Sequence, residues 1–261
     1  MNTENVNFLH DTLKYLGFGI NTPLNYALDE QLSQEPEAFT LHTEVSFDGD
    51  TTIEATLFFN QGKGDYADRY YFNKYDAVLH YLDRSVDDRK MTVRIEKNRK
   101  GITFKQAFNL LQGRYVQRKV LDQNNETHEW WLHLEFKVRA SNGNPYLRYY
   151  KGNFDVEKAL EAYPIRELGS PEQKERICSS LRRGNLHLVT FQHANGSWQN
   201  NMIYVNPEKQ LVCNIGEATS AHRQRNPNVP VTAFLEFDKT DDDEISETVE
   251  EPARPRKKVL L

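Results

Sequence analysis

Apolar positions along the chain recur in one order: a helical stretch, then alternating runs separated by turn residues. Asn7 to Tyr15, with Phe8, Leu9 and Leu13 apolar and Leu16 just beyond, predicts a short helix closed by Gly17 and Gly19. Thr22 is placed to cap a second helix, with Pro23 at its first position and an end near Leu32. Two alternating runs follow, Glu37 to Phe47 and Thr51 to Phe59. They are joined by Asp48-Gly49-Asp50, residues that tolerate the positive φ of a tight hairpin turn. Arg69 to Asn73 reads as a third strand, Asp76 as the lead into a helix over Ala77 to Leu82, and Met91 to Glu96 as a connecting strand. The order then repeats. Thr103 caps Phe104 to Gln112, Gly113 ends it, and strands follow at Tyr115 to Leu121, Glu129 to Val138 and Tyr146 to Tyr150. Asp155 leads a helix from Val156 to Tyr163, stopped by Pro164. A third pass starts at Ser170-Pro171, runs as a helix to Arg183, ends at Gly184, and continues as strands Leu186 to Gln192, Met202 to Asn206 and Gln210 to Ile215.

At one fixed offset and without a gap, Leu32 falls on Leu111, Ile53 on Leu132, Ala55 on Leu134 and Leu57 on Phe136. Arg69-Tyr70-Tyr71 falls on Arg148-Tyr149-Tyr150 at the same offset, and Tyr75-Asp76 on Phe154-Asp155. A shorter offset places Leu110 on Leu181, Gly113 on Gly184, Asn124 on Asn195 and Leu132 on Ile203. The expected fold class is therefore α+β: three α-β-β-β units with mostly antiparallel sheets and helices packed on them. Residues 1–98 form the first unit with its N-terminal helix, 99–169 the second and 170–237 the third, with Val231 to Phe237 as a last alternating run. The charged segment 238–261 is expected to be disordered, because it has too little apolar surface to offset the entropy of ordering.

Composition narrows the classes. At 38% hydrophobic and 11% aromatic residues the chain suits a soluble globular protein, and no apolar run approaches the roughly 18 residues of a membrane helix. The opening MNTENVNFLHDTLKYLGFG lacks the basic start and long apolar stretch of a secretory signal, so a cytoplasmic protein is expected. Only Cys178 and Cys213 occur, in no zinc or disulfide pattern, and both read as small buried hydrophobes. Of the net charge of −5, most resides from Asp241 onward, where seven acidic side chains face four basic ones. The body is nearly balanced and does not advertise a phosphate-binding domain. Gly62-Lys63-Gly64 joins two strands and lacks the spacing of a phosphate loop; the eight histidines are scattered; no nucleophile elbow occurs. Asp48 with Asp50 is explained by its turn. Neither catalysis, a metal nor a cofactor is called for.

What remains is a binding face. Alternation on Glu129 to Val138 assigns Trp130, Leu132, Leu134 and Phe136 to the core and puts Trp131, His133 and Glu135 on the other face. On the neighbouring run Tyr146, Arg148 and Tyr150 share a side. Arg69 begins the equivalent Arg-Tyr-Tyr strand, and Arg114 and Arg118 form a basic corner behind the Phe104 to Gln112 helix, where cations also complement the helix dipole. Exposed Trp and Tyr beside Arg would stack the bases of single-stranded nucleic acid or anchor a protein partner. The plainer alternative is that this face packs against another unit.

Several stretches carry a resemblance. FNLLQGRYVQRKVL with the Trp-Leu-His-Leu-Glu-Phe strand, YYKGNFDVEKALEAYPIRELGSPEQKER, SLRRGNLHLVTF and YVNPEKQLV, with KYLGFG and YYFNKYDAVL earlier, look like a family of uncharacterised proteins. That family is carried on conjugative and other mobile elements of anaerobic gut bacteria, and the likeness spans Phe8 to Ile215. It implies context and no catalytic residue: an accessory, non-enzymatic binding protein of a mobile element, with protein or single-stranded nucleic acid as partner. Two other classes stand beside it, an inhibitor of a host defence or restriction system whose acidic tail mimics phosphate charge, and an enzyme without a legible motif.

Overall fold

A computed structural model of the chain describes residues 2–95, 101–121, 126–193 and 195–215. The expected strand Val231 to Phe237 and the charged tail lie outside the described residues. Those described fall in one unit, Met1–Val229, and form an α+β fold whose sheets are antiparallel.

The first helix, α1 (Thr3–Tyr15), starts at Asn2, whose side chain accepts from the Asn5 N–H, and stops before Gly17 at φ 79°. Helix α2 (Pro23–Ser33) begins as the Thr22-Pro23 pair predicts. Asn25 accepts from both the Thr22 N–H (3.1 Å) and hydroxyl (2.7 Å), closing the first turn. His10 clips the two helices together, its Nε2 2.7 Å from the Asp29 carboxylate and its Nδ1 3.0 Å from the Asn25 amide nitrogen.

The first sheet has four strands in chain order: β1 (Ala38–Val45), β2 (Thr51–Gln61), β3 (Tyr70–Tyr81) and β4 (Arg89–Arg94). The β1–β2 turn is built as its residues suggest, with Gly49 at φ 77° and the Asp48 carboxylate accepting from the Asp50 and Thr51 N–H groups. Ala77 to Leu82, expected to be helical, is strand instead. The cause is a bulge: Phe58 pairs with Lys74 but Phe59 with Phe72, so Asn73 is the extra residue and the alternation changes phase there. On either side the period is two, with Tyr70 and Phe72 buried before the bulge and Tyr75, Ala77 and Leu79 after it. The run expected at Met91 to Glu96 as a connector is, in its described part, the fourth strand of this sheet, Arg89–Arg94; Glu96 lies outside the described residues.

Helix α3 (Phe104–Leu111) is capped by Thr103, with Gln106 bonding back to the Thr103 N–H. Five of its eight residues, Phe104, Ala107, Phe108, Leu110 and Leu111, are buried side chains of the first core. Burial of each large one contributes about 1.5–3 kcal/mol. Beyond Gly113 come β5 (Val116–Leu121), β6 (Thr127–Arg139) and β7 (Pro145–Tyr150), the middle sheet. Helices α4 (Val156–Leu160) and α5 (Pro171–Arg182) precede the third sheet of β8 (His187–Gln192), β9 (Trp198–Asn206) and β10 (Leu211–Asn214). Asp155 and Ser170 supply the expected caps for these two helices.

Two hydrophobic cores result. The first joins α1, α2, α3 and the inner face of the four-stranded sheet to Val116, Leu132 and Leu134 of the middle sheet. The second joins Tyr115 and Trp131 to α4, α5 and the third sheet, through Leu160, Ile177, Cys178, Leu181, Val189 and Ile203. The middle sheet thus serves both. The offset that aligns the sequence segments does not extend to pairing: Leu132 lies opposite Tyr149, whereas Ile53 lies opposite Leu79.

Candidate binding surface of the middle sheet

Partners in an antiparallel ladder point to the same side. The pairs Val116–Leu132, Arg118–Trp130, Leu132–Tyr149 and Leu134–Leu147 define the face of the first core. The pairs Gln117–Trp131, Trp131–Tyr150, His133–Arg148 and Glu135–Tyr146 define the opposite face. Five of the expected site residues, Trp131, His133, Tyr146, Arg148 and Tyr150, do share that second face. Arg118 is on the other one, and Arg69 belongs to the loop before β3 of a different sheet, exposed, with its guanidinium 5.6 Å from the Tyr66 ring centre.

The second face is not open along its length, and here the expectation for Trp131 is corrected. Trp131 is 1% exposed and packs edge-on against Phe154 in the second core, because the third sheet and its helices close over the middle of β6. Beside it, Tyr115 stacks on His133 at 4.4 Å, meets Tyr150 edge-on at 5.5 Å, and donates its hydroxyl hydrogen to Glu208 at 2.9 Å. Burial, reinforced by Glu208, raises the Tyr115 pKa; burial also raises that of Tyr150. The His133 pKa falls below 6.5, because the cost of burying a charged ring outweighs the Gly113 carbonyl and the carboxylates of Glu135 and Glu208, and Arg148 adds to the fall. His133 is therefore a neutral ring at pH 7. At one end of this face Tyr146 and Arg148, each 47% exposed, meet solvent, with Arg148 3.4 Å from Glu135; at the other end the exposed pair Lys119 and Glu129 does so.

Arg114 is drawn away from any ligand. Its Nε donates to the Gly184 carbonyl (2.8 Å) and one terminal nitrogen to the Asn109 side-chain oxygen (2.5 Å). Asn109, fully buried, donates in turn to the Arg183 carbonyl and the Asn185 side chain. Desolvation pulls the guanidinium down to about 10, so it stays charged at neutral pH. Gly184 permits the approach: at φ +81° an added Cβ would lie 2.6 Å from the Tyr115 carbonyl oxygen. These contacts tie the end of α3 to the end of α5.

The surface that sequence reasoning missed is on the first face, beyond the first core. There the Trp130 ring is half-buried, stacked with His128 at 5.8 Å and met edge-on by Tyr149 at 5.8 Å. Lys151 holds its ammonium 4.5 Å from the indole centre, and Arg118 lies directly across the ladder from Trp130. Tyr149 is 45% exposed. A signal for this was available in element lengths. An eight-residue helix spans about 12 Å, a thirteen-residue strand about 43 Å, so α3 leaves an overhang on β6.

Elsewhere, a shallow cavity of about 300 Å³ is lined by Glu157, Leu168, Gly169, Pro171, Lys174 and Glu175. Its cation is already engaged, with Lys174 2.6 Å from Glu157 and 3.0 Å from Glu161. Among the described residues no group of three or more His, Cys, Asp or Glu would hold a metal ion, and no helix is long and apolar enough to cross a membrane. Comparison of the chain with protein-family models, with curated proteins and with solved structures gives no match.

Proposed function

We propose that this chain is a non-catalytic binding protein that takes single-stranded nucleic acid on the overhang of the middle sheet, in an accessory role to a mobile element. One observation carries the reading: Trp130, His128 and Tyr149 form a joined aromatic surface, fronted by Lys151 and Arg118, on the part of a sheet face that the core leaves uncovered. Aromatic rings on a sheet stack bases of any sequence, and Lys151 and Arg118 are the cations beside them that would meet the connecting phosphates. The near-neutral body argues for a short footprint, since few cations are gathered at one place. A cytoplasmic setting accords with the two free cysteines, Cys178 and Cys213.

The proposal extends to origin. Each sheet is an antiparallel meander preceded by a helix, and α3 and α5 both close on a positive-φ glycine, Gly113 and Gly184. Descent from three α-β-β-β units accounts for both features, with β4 an addition to the first.

The test is fluorescence anisotropy with labelled oligo-dT and oligo-U at low and moderate salt. Base stacking of about 1–3 kcal/mol predicts that Trp130→Ala weakens binding roughly 5- to 150-fold. With two phosphates neutralised, log affinity falls against log salt with a slope near −1.4, or ~0.7 per phosphate. No binding at low salt, or a Trp130→Ala protein that binds like wild type, would overturn the reading.

A further inference from the structure

A bare sheet edge offers a row of backbone donors and acceptors, which folded proteins cover or interrupt. Three outer edges of this chain are met from within. Beside β4, Asn144 uses its amide as a peptide group, accepting from the Thr92 N–H (3.1 Å) and donating to the Thr92 carbonyl (3.3 Å). Beside β8, the Glu167 carboxylate accepts from the Thr190 N–H at 3.0 Å and the Gln192 N–H donates to the Pro164 carbonyl. Beside β10, the Tyr163 hydroxyl donates to the Val212 carbonyl at 3.1 Å.

β1 has no such cover. Its eight residues pair with β2 from end to end without a register shift and include neither proline nor glycine. The Gln61 N–H donates to the Glu37 carbonyl, so by antiparallel alternation Phe39, Leu41, Thr43 and Val45 bond to β2. The amides and carbonyls of Ala38, Thr40, His42 and Glu44 then point the other way. Among the described residues none bonds to them there. The side chains of the same four residues are exposed.

The charges on this edge are unbalanced in a particular way. Glu44 lies opposite Glu54 in β2, and like charges directly across a ladder are destabilising. Glu54 has His80 at 3.5 Å, whereas no described cation pairs with Glu44. Two residues before Glu44 is His42, an exposed imidazole 3.1 Å from the Thr56 hydroxyl, whose ring N–H is a hydrogen-bond donor suited to a carboxylate. An antiparallel pairing of the edge with itself, about the residue between them, sets each against the other.

We propose that β1 pairs antiparallel with β1 of a second copy of this chain, about a two-fold axis at Thr43, so that His42 of each copy lies opposite Glu44 of the other. The two four-stranded sheets then join into one continuous sheet of eight. On the inner face Leu41 meets Val45 of the second copy, apolar against apolar, and the interface is isologous, as a closed dimer requires. The edge complements itself, which a foreign strand need not do. This inference is independent of the nucleic-acid reading.

The full chain is examined by sedimentation equilibrium from about 1 to about 100 μM, a range that reads micromolar association. Wild type is expected to show the mass of a dimer. His42→Pro removes an outward N–H at an edge, where proline is tolerated, together with the imidazole and its exposed contacts to the Thr56 and Thr40 hydroxyls, and is expected to be a monomer with an unchanged circular dichroism spectrum. Should that variant misfold, Thr40→Lys sets a charged side chain on the same edge and is likewise expected to weaken the dimer. His42→Glu and Glu44→His are each expected to weaken association about 5-fold or more, and the double exchange to restore it, because the opposite pairs are kept. A wild type that stays monomeric, a folded His42→Pro protein that still dimerises, or a double exchange as weak as the single ones would overturn the proposal.

Discussion

Trp130 and Trp131 are neighbours on one strand and live in different surroundings. Trp131 is closed into the second core against Phe154, while Trp130 lies past the end of the first core among His128, Tyr149 and Lys151. Alternation alone puts the two on opposite faces; it does not say which face is covered at that point. A sheet between two cores is covered on each face over only part of its length, and what is left open depends on where the covering helices stop. Here the covered part is the middle of β6, from Trp131 to Leu134, and both faces open toward the ends, with Trp130 and Tyr149 on one face and Tyr146 and Arg148 on the other.

The contrast can be broken most forcefully at Trp131. Replacing it with alanine empties a large buried site and is expected to cost about 3–5 kcal/mol in urea unfolding, whereas Trp130→Ala is expected to cost within about 1 kcal/mol. Equal losses would remove the distinction. The next effect is at the tie between α3 and α5. Asn109→Ala deletes two donated bonds and one accepted from Arg114, leaving buried groups without partners, and is expected to cost about 2–3 kcal/mol. A loss near zero in the same unfolding experiment would count against the tie.

The smallest effect is one of pH. His133 has a folded pKa below its ordinary 6.5, so below that pH the unfolded chain takes up the proton that the folded one refuses. Stability is expected to be untouched by this group above pH 7 and to decline as pH falls from 6.5 toward the folded value. Comparing wild type with His133→Gln in unfolding titrations isolates that slope from the other histidines. Identical profiles would mean that the ring is not held neutral by burial against Tyr115.

Much of the architecture was legible because local chemistry and fold agree. Thr22-Pro23, Asp48-Gly49-Asp50, Thr103 and Ser170-Pro171 set helix starts and a hairpin that packing then reinforces. The failures occurred where tertiary structure overrides a local period. At Asn73 a bulge shifts the phase of β3, so that a strand imitates the beginning of a helix. Of the expected site, grouping by face was correct for Trp131, His133, Tyr146, Arg148 and Tyr150, since register follows the alternation. Their exposure was not legible, because it depends on a second core contributed by residues from Phe154 to Val212. Arg114 shows the same limit: a basic residue after a helix end reads as a surface cation, and only the approach of Gly184 makes it a buried donor.

In the proposed binding mode Trp130 is the residue that a nucleic acid touches. The direct measurement uses Trp131→Phe/Trp198→Phe protein, in which Trp130 is the sole fluorophore of its kind, titrated with oligo-dT while anisotropy of the labelled strand is followed in parallel. Quenching of Trp130 emission that saturates together with the anisotropy is the predicted result. Binding seen by anisotropy with Trp130 emission unchanged would contradict it.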